Sequence, residues 1–350
     1  MPTQALPTPT HRHPPLPGQH RPDRTRALVA GAVLVLALAS LRAFAPLVGG
    51  IPLADLAQDF LTLSISVIIE SLPFVFLGIA LSAVVQHWLP PALLFRILPR
   101  RPVLRRAVLS LLGVLLPVCE CGNVPLSRGL IQRGITVPET MAFLVAAPIV
   151  NPVTIITTYQ AFGFDDGILI ARVLGGFVIA NLVGWLFSRH PDPDALLTRR
   201  FSASCERSGH DHQPRGVSGR LQASVRTFAA ETTAMLPALF IGAGIAGLIQ
   251  VAVSRDVLVA LGANPVLSVF VLMLLAFVIS VCSNVDAFFV LALGSTFLPG
   301  AIVAFLVFGP VIDIKMLALL RTTFTARTLA LLTVVVALCA AALGLAINLA

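Results

Sequence analysis

The chain has 350 residues, of which 57% are hydrophobic and only 11% charged, with a formal charge of +8. A soluble domain carries roughly 25% charged residues, so a water-facing surface for a chain of this length is excluded. The bases are almost all arginine, with Lys315 the single lysine. They cluster in short segments between apolar blocks and not along an aromatic-rich basic groove, which argues against nucleic-acid binding. The apolar blocks approach 20 residues, the length needed to cross a ~30 Å hydrocarbon core. Strand-sized alternation is absent, which excludes an outer-membrane barrel.

Residues 1–27 are rich in Pro, His, Arg and Thr and are expected to be disordered. An extra apolar helix is expected at 28–48 and reads as an uncleaved signal anchor. A span follows at 61–88, then a shorter apolar helix at 103–118 that stops at Pro117-Val118-Cys119-Glu120-Cys121-Gly122. A short piece at 124–132 and spans at 138–160 and 167–188 complete the first half. Residues 189–226 carry seven arginines and three histidines and read as a polar linker without a fold of its own. The second half, 227–350, reads as apolar segments at 227–252, 266–281, 285–297, 300–320 and 328–349.

The two halves repeat. Leu72-Pro73, Phe76, Gly78 and Gln86 recur as Leu236-Pro237, Phe240, Gly242 and Gln250, an offset of 164 from Pro73 to Pro237. Val118-Cys119 recurs as Val281-Cys282 at an offset of 163, and Pro148 and Asn151 recur as Pro310 and Asp313 at 162. Arginine-rich segments lie on the inner face of a membrane. That rule places the N-terminus, Arg96 to Arg106, the linker, Arg321 and Arg327 inside, and Asp55, Asp59, Asp165 and Asp166 outside. The count closes if 103–132 enters from one face and returns to it. The expected fold is therefore all-α and polytopic, with about 8–10 hydrophobic helices in two inverted repeats (the first at 58–188), each holding a broken or re-entrant helix hairpin, as in many secondary transporters.

Both breaks hold polar residues: Cys119, Glu120, Cys121, Gly122 and Asn123 in one, Cys282, Ser283, Asn284 and Asp286 in the other. Ionisable groups at membrane depth usually mark a substrate or ion path. Asn and Ser can serve as helix caps, but capping does not call for several thiols and carboxylates. Residues two apart lie on one face of an extended segment, so an extended Cys119-x-Cys121, favoured by Pro117, Gly122 and Pro125, presents two sulfurs together. Thiolates suit Cu(I), Zn(II) and, by the same softness, trivalent arsenic. Cys119, Cys121 and Cys282 are the expected metal ligands. Glu120, Asn123, Asn151, Asn284 and Asp286 join them as expected solute contacts. Asp313, Lys315 and Glu70 are expected to couple transport to protons; the alternative for Lys315 is a side chain snorkelling from a helix end. Glu231, near the inner boundary, reads as solvated. Cys205, Glu206, His210, Asp211 and His212 could hold a metal loosely, but in an arginine-rich linker the stronger reading is a solvated polar segment without a metal. Five cysteines, an odd number spread over apolar segments, are not a disulfide framework, and no cofactor is expected.

The segments PVCECGNVPLSRGLIQRG, FLVAAPIVNPVTI, VCSNVDAF and FLVFGPVIDIK resemble the predicted permeases of the YraQ/ArsP type, which include organoarsenical efflux permeases. The resemblance covers roughly residues 60–325 outside the linker. It implies a multi-pass permease of the bacterial inner membrane, with N-terminus and linker in the cytoplasm. The motif residues that match are Cys119, Cys121, Gly122, Pro125, Gly134, Pro148, Asn151, Pro152, Cys282, Asp286, Pro310, Asp313 and Lys315. Glu120 departs from the small residue associated with organoarsenical exporters. Expected partners are the lipid bilayer, a small solute or metal ion, and, in the alternative reading, an accessory subunit; self-association is compatible with all of these. The expected function is export of a soft metal ion or thiol-reactive solute by alternating access. The alternatives are a membrane subunit or scaffold of a transport complex and, further off, an intramembrane enzyme, for which no GxSxG or HExxH motif is present.

Overall fold

The computed structural model describes residues 55–90, 96, 98–116, 118–164, 166–210, 216–252, 264–294 and 297–349. The expected helix at 28–48, Pro117, Asp165, Asp211 and His212 lie outside them. The described residues form an all-α, polytopic membrane protein. Among the described residues, five helical segments are long and apolar enough to span a bilayer: Ala57–His87, Val137–Phe162, Ile168–Phe187, Gly216–Val251 and Ala326–Leu349. Their outward faces carry exposed large apolar side chains such as Ile69, Leu174, Val178, Ile241, Leu248 and Leu338. In water such a surface would be an aggregation liability; in lipid it is the solvated face.

The first half contains α1 (Asp55–His87), α2 (Pro102–Leu111), α3 (Glu120–Gln132), α4 (Val137–Val150), α5 (Pro152–Phe162) and α6 (Ile168–Phe187). A linker helix, α7 (Arg199–His210), follows. The second half contains α8 (Gly216–Ala252), α9 (Leu267–Ile279), α10 (Asp286–Leu291), α11 (Pro299–Phe308), α12 (Ile314–Leu320) and α13 (Ala326–Leu349). Every residue of α4 is buried, and so is Gly300–Phe308 of α11. These two helices are the centre of the molecule. A capping box starts α4, with Thr136 and Glu139 each satisfying the other's backbone N–H. In the first half α4 packs on α2 and α6; in the second α11 packs on α9 and α13. Across the halves α3 meets α12, α5 meets α10, α6 meets α13 and α1 meets α8. The first helix of each half packs differently: α1 lies along α3, whereas α8 lies along α12.

Small residues set the α1–α3 approach. A Cβ added to Gly78 would fall 2.1 Å from the Gly122 carbonyl oxygen, and one on Gly122 would fall 2.4 Å from the Phe74 carbonyl oxygen. Close backbone contact of this kind is how helices associate in lipid, where apolar side chains gain little from leaving their solvent.

Several expected boundaries change. The segment expected at 300–320 is two helices, α11 and α12, and the 138–160 span is divided into α4 and α5 at Asn151. Pro148 lies inside α4, and the interruption falls three residues later, where Asn151 takes an extended ψ of 134°. Pro125 lies within helix α3, not in a break. The linker is not without a fold: α8 begins at Gly216, and Leu196, Leu197 and Phe201 are buried. Leu197 makes a backbone bridge to Phe324, in the turn that joins α12 to α13.

Candidate functional site

The interruptions converge. Cys119 is the extended residue at the start of α3, with φ −71° and ψ 176°. Asn151 caps the start of α5, its side chain accepting from Val153 N–H. Asp313 caps α12 in the same way, accepting from Met316 N–H. The segment 280–285 ends α9 and begins α10, and Ser280 sits there in the left-handed region at φ 53°. Asn151 Nδ2 donates to Val118 O at 2.9 Å, tying the α3 break to the α4–α5 break. Lys315 Nζ donates to Ser280 O at 3.4 Å and ties the matching breaks of the second half.

Glu120 joins the two sets. Its Oε1 accepts from Lys315 Nζ at 3.2 Å. Its Oε2 accepts from Ser283 Oγ at 2.8 Å, Ser283 N–H at 3.2 Å and the Cys282 thiol at 3.6 Å. Glu120 is 0% exposed and Lys315 1%. Such a charge is tolerable because each oxygen is bonded and because Glu120 lies in the first turn of α3, where the helix dipole favours an anion. The snorkelling alternative for Lys315 is thereby corrected: its ammonium is turned inward onto a carboxylate.

Cys119, Glu120 and Cys282 each offer a ligand atom, and the three atoms lie within 4.8 Å of one another. The expected set was Cys119, Cys121 and Cys282. Cys121 stands outside this cluster because α3 has already begun at Glu120, so the two cysteines do not share one extended face. The Cys121 thiol instead lies 4.0 Å from Glu120 Oε1.

Two further ion pairs are buried. Arg172 of α6 grips Asp286 of α10 with two nitrogens, at 3.0 and 2.6 Å, and donates to Thr158 Oγ1 at 2.7 Å. Arg128 of α3 holds Glu231 of α8 at 2.7 Å, donates to Thr322 O and Thr323 Oγ1, and stacks over the Phe201 ring at 4.2 Å. Glu231 is 5% exposed, so the solvated reading of that residue is corrected. Sequence reasoning missed Arg128 and Arg172. The signal for Arg172 was available: one cation inside the apolar run ILIARVLGG, where a charge has to be partnered.

The remaining expected residues divide into capped and uncapped. Asn151 is fully engaged as described. Asn123 is 1% exposed, and neither its Oδ1 nor its Nδ2 has a hydrogen-bond partner. It lies one helical turn beyond Cys119, on the same face of α3. Asp313 Oδ2 and Asn284 Oδ1 are also without partners. Glu70, midway along α1, is exposed, and the charges of Lys315 and Glu120 act on its carboxylate. In the linker, Cys205 is half-buried, and burial pushes its thiol above the ordinary cysteine value. The rest of its looser metal set falls partly outside the described residues.

A family model described as "Predicted permease", of the ArsP type, matches residues 56–349. The chain belongs to that family. Among curated relatives, the UPF0718 protein YcgR of Bacillus subtilis (strain 168) is 35% identical over 269 residues, covering 77% of this chain and 90% of the relative. A "Putative two-component membrane permease complex subunit" of Streptococcus mutans serotype c (strain ATCC 700610 / UA159) is 30% identical over 271 residues, covering 76% of this chain and 87% of the relative. No solved structure matches.

Proposed function

We propose that this membrane permease exports a soft cation or thiol-reactive metalloid solute from the cytoplasm across the bacterial inner membrane, and that Cys119, Cys282 and Glu120 are its ligands. The observation that carries this reading is the buried meeting of two thiols and a carboxylate, within 4.8 Å, at the interrupted helices. Two sulfurs and one oxygen suit Cu(I), Zn(II) or trivalent arsenic over hard ions such as Mg²⁺. Each thiol gives up its proton on binding, so loading releases protons. Lys315 then acts as a resident cation: Glu120 cannot hold both its ammonium and the solute at full strength, so the arriving ion displaces Lys315 towards Asp313. Cys121, Asn123, Asn151 and Asn284 border the site, and Glu70 is the exposed carboxylate through which protons reach it.

The inverted-repeat reading fits these contacts. Cys119 and Cys282 are equivalent in the two halves and meet; Glu120 meets Ser283 across the same offset of 163 residues (Cys119 to Cys282). Arginine placement supports a cytoplasmic 189–226 linker.

Purified protein in liposomes tests the reading with Zn(II), Cu(I) and arsenite as solutes. Transport of at least one is expected, falling tenfold or more in Cys119→Ser and Cys282→Ser. Equal transport by the cysteine variants, or none of the three carried by wild type, overturns the ligand assignment. A second reading is favoured by the Streptococcus relative's description as a complex subunit: the chain moves solute only with an accessory protein. Liposomes inactive with this chain alone and active with a co-purifying membrane protein would support it.

A further inference from the structure

Among the described residues, three ion pairs have both partners buried: Glu120–Lys315, Arg172–Asp286 and Arg128–Glu231. Each joins a residue of the first half to one of the second. They also lie at different distances along their helices from the linker end. Arg128 is at the linker end: it stacks on Phe201 of the linker helix and bonds Thr322 and Thr323 in the α12–α13 turn. Arg172 is near the start of α6, whose far end, Phe187, leads into the linker. Fifteen residues of helix separate Arg172 from Phe187, about 22 Å at 1.5 Å per residue. Glu120 lies between, eight residues or about 12 Å along α3 from Arg128.

We infer that Arg172–Asp286 and Arg128–Glu231 are the two gates of the solute path, one sealing each end, with the Cys119–Glu120–Cys282 cluster enclosed between them. This rests on the permease reading and adds to it residues outside the ligand set. With both pairs formed the cluster is sealed: Cys119 is 1% exposed and Cys282 3%. The chemistry explains why charges stand where apolar packing would hold the halves as well or better. In a buried ion pair, attraction and desolvation nearly cancel. When the seam parts, both ions recover their hydration, so the open state is not heavily penalised. A hydrophobic seam would expose apolar surface to water on every opening. Arg172 also keeps Thr158, on its own half, when Asp286 withdraws.

The experiment reads thiol access and needs no knowledge of the solute. Membrane vesicles carrying the full chain are treated with a membrane-impermeant maleimide from either side, and labelling of Cys119 and Cys282 is followed peptide by peptide by mass spectrometry. Protease access to the linker defines the linker side. Arg172→Gln is expected to raise labelling at least tenfold from the side opposite the linker. Arg128→Gln is expected to do so from the linker side. The charge swap of Arg172→Asp with Asp286→Arg should return protection. Asp286→Asn and Glu231→Gln open the same pairs with nearly the same shape and serve if an arginine variant does not accumulate. Labelling unchanged from wild type, or raised from the same side in both sets of variants, overturns the gate assignment. Absence of transport with side-specific labelling intact would fault the permease reading and leave the gates standing.

Discussion

Glu120 concentrates the chemistry of the molecule. One carboxylate holds an ammonium, a hydroxyl, a backbone N–H and a thiol, with no access to water. Removing one member of a buried charge pair costs about 3–5 kcal/mol, because the other charge stays buried alone. Glu120→Gln is therefore expected to lower thermal stability in detergent markedly. The double variant Glu120→Gln with Lys315→Met should recover most of that stability, as neither charge remains. Transport should stay lost in both, since the carboxylate ligand is gone; a thermal-shift series with parallel liposome flux checks the pair. At this scale much was legible. Cys119, Glu120, Cys282, Asp286, Asp313 and Lys315 stood out because charges and thiols are expensive in lipid. What was not legible was who pairs with whom. Partners lie far apart in sequence, 195 residues for Glu120 and Lys315, and local pattern carries no register at that distance. Glu231 was misread for the same reason: nothing near it in sequence announces Arg128.

At the scale of elements, the decisive feature is that helices stop and restart inside the bundle. Asn151 and Asp313 do the same work at matching positions, each capping the second of two short helices. The interruption falls three residues after Pro148 and Pro310, at the cap, where a side chain can satisfy the freed N–H groups. Cys121 shows how fine the boundary is: with the helix starting one residue after Cys119, the second thiol falls outside the group that Cys119 forms with Glu120 and Cys282. Packing of α1 on α3 rests on Gly122, and Gly122→Ala sets a methyl 2.2 Å from Val118 Cγ1 and 2.4 Å from the Phe74 carbonyl oxygen. A backbone atom cannot step aside as a side-chain end can. The expected loss is about 1–3 kcal/mol, visible as lower yield and melting temperature. Gly244→Ala, with nothing within 4 Å of its added methyl, should leave both unchanged.

Across the whole molecule, the halves are joined by helix packing, α1 on α8, α5 on α10, α6 on α13 and α3 on α12, with three buried ion pairs crossing the same boundary. If the chain is cut between His210 and Gly216 and the fragments are co-expressed, they are expected to co-purify through this packing, and removing one partner of a buried pair should weaken it because the other charge is left alone. Arg172→Gln combined with Arg128→Gln should reduce the recovered complex severalfold, as measured by affinity pull-down of one fragment with the other. The linker itself was read as featureless because its composition is polar. Its anchoring comes from three apolar residues, Leu196, Leu197 and Phe201, scattered among arginines and closed over by the α12–α13 turn. Burial raises the Cys205 thiol above its ordinary value, so its thiolate fraction is reduced at neutral pH. Maleimide modification of Cys205 should be slow at pH 7 and still climbing above the ordinary thiol range of about 8.5; a rate already level at that pH would mean the helix does not dock.

The meeting of Cys119 with Cys282 bears on ancestry. On the duplication reading, a two-fold dimer of the half-length unit already had its two thiols face to face. In such a dimer every substitution appears twice, so a glutamate at the position of Glu120 would confront its own copy across the axis, and the two negative charges would repel. On the same reading, joining the copies in one chain frees each side to differ from the other. In this chain the acid Glu120 stands against the hydroxyl Ser283, and the position that holds Lys315 in the second half holds Val153 in the first. A lone charge placed on what had been a symmetry axis is something only the fused chain can make.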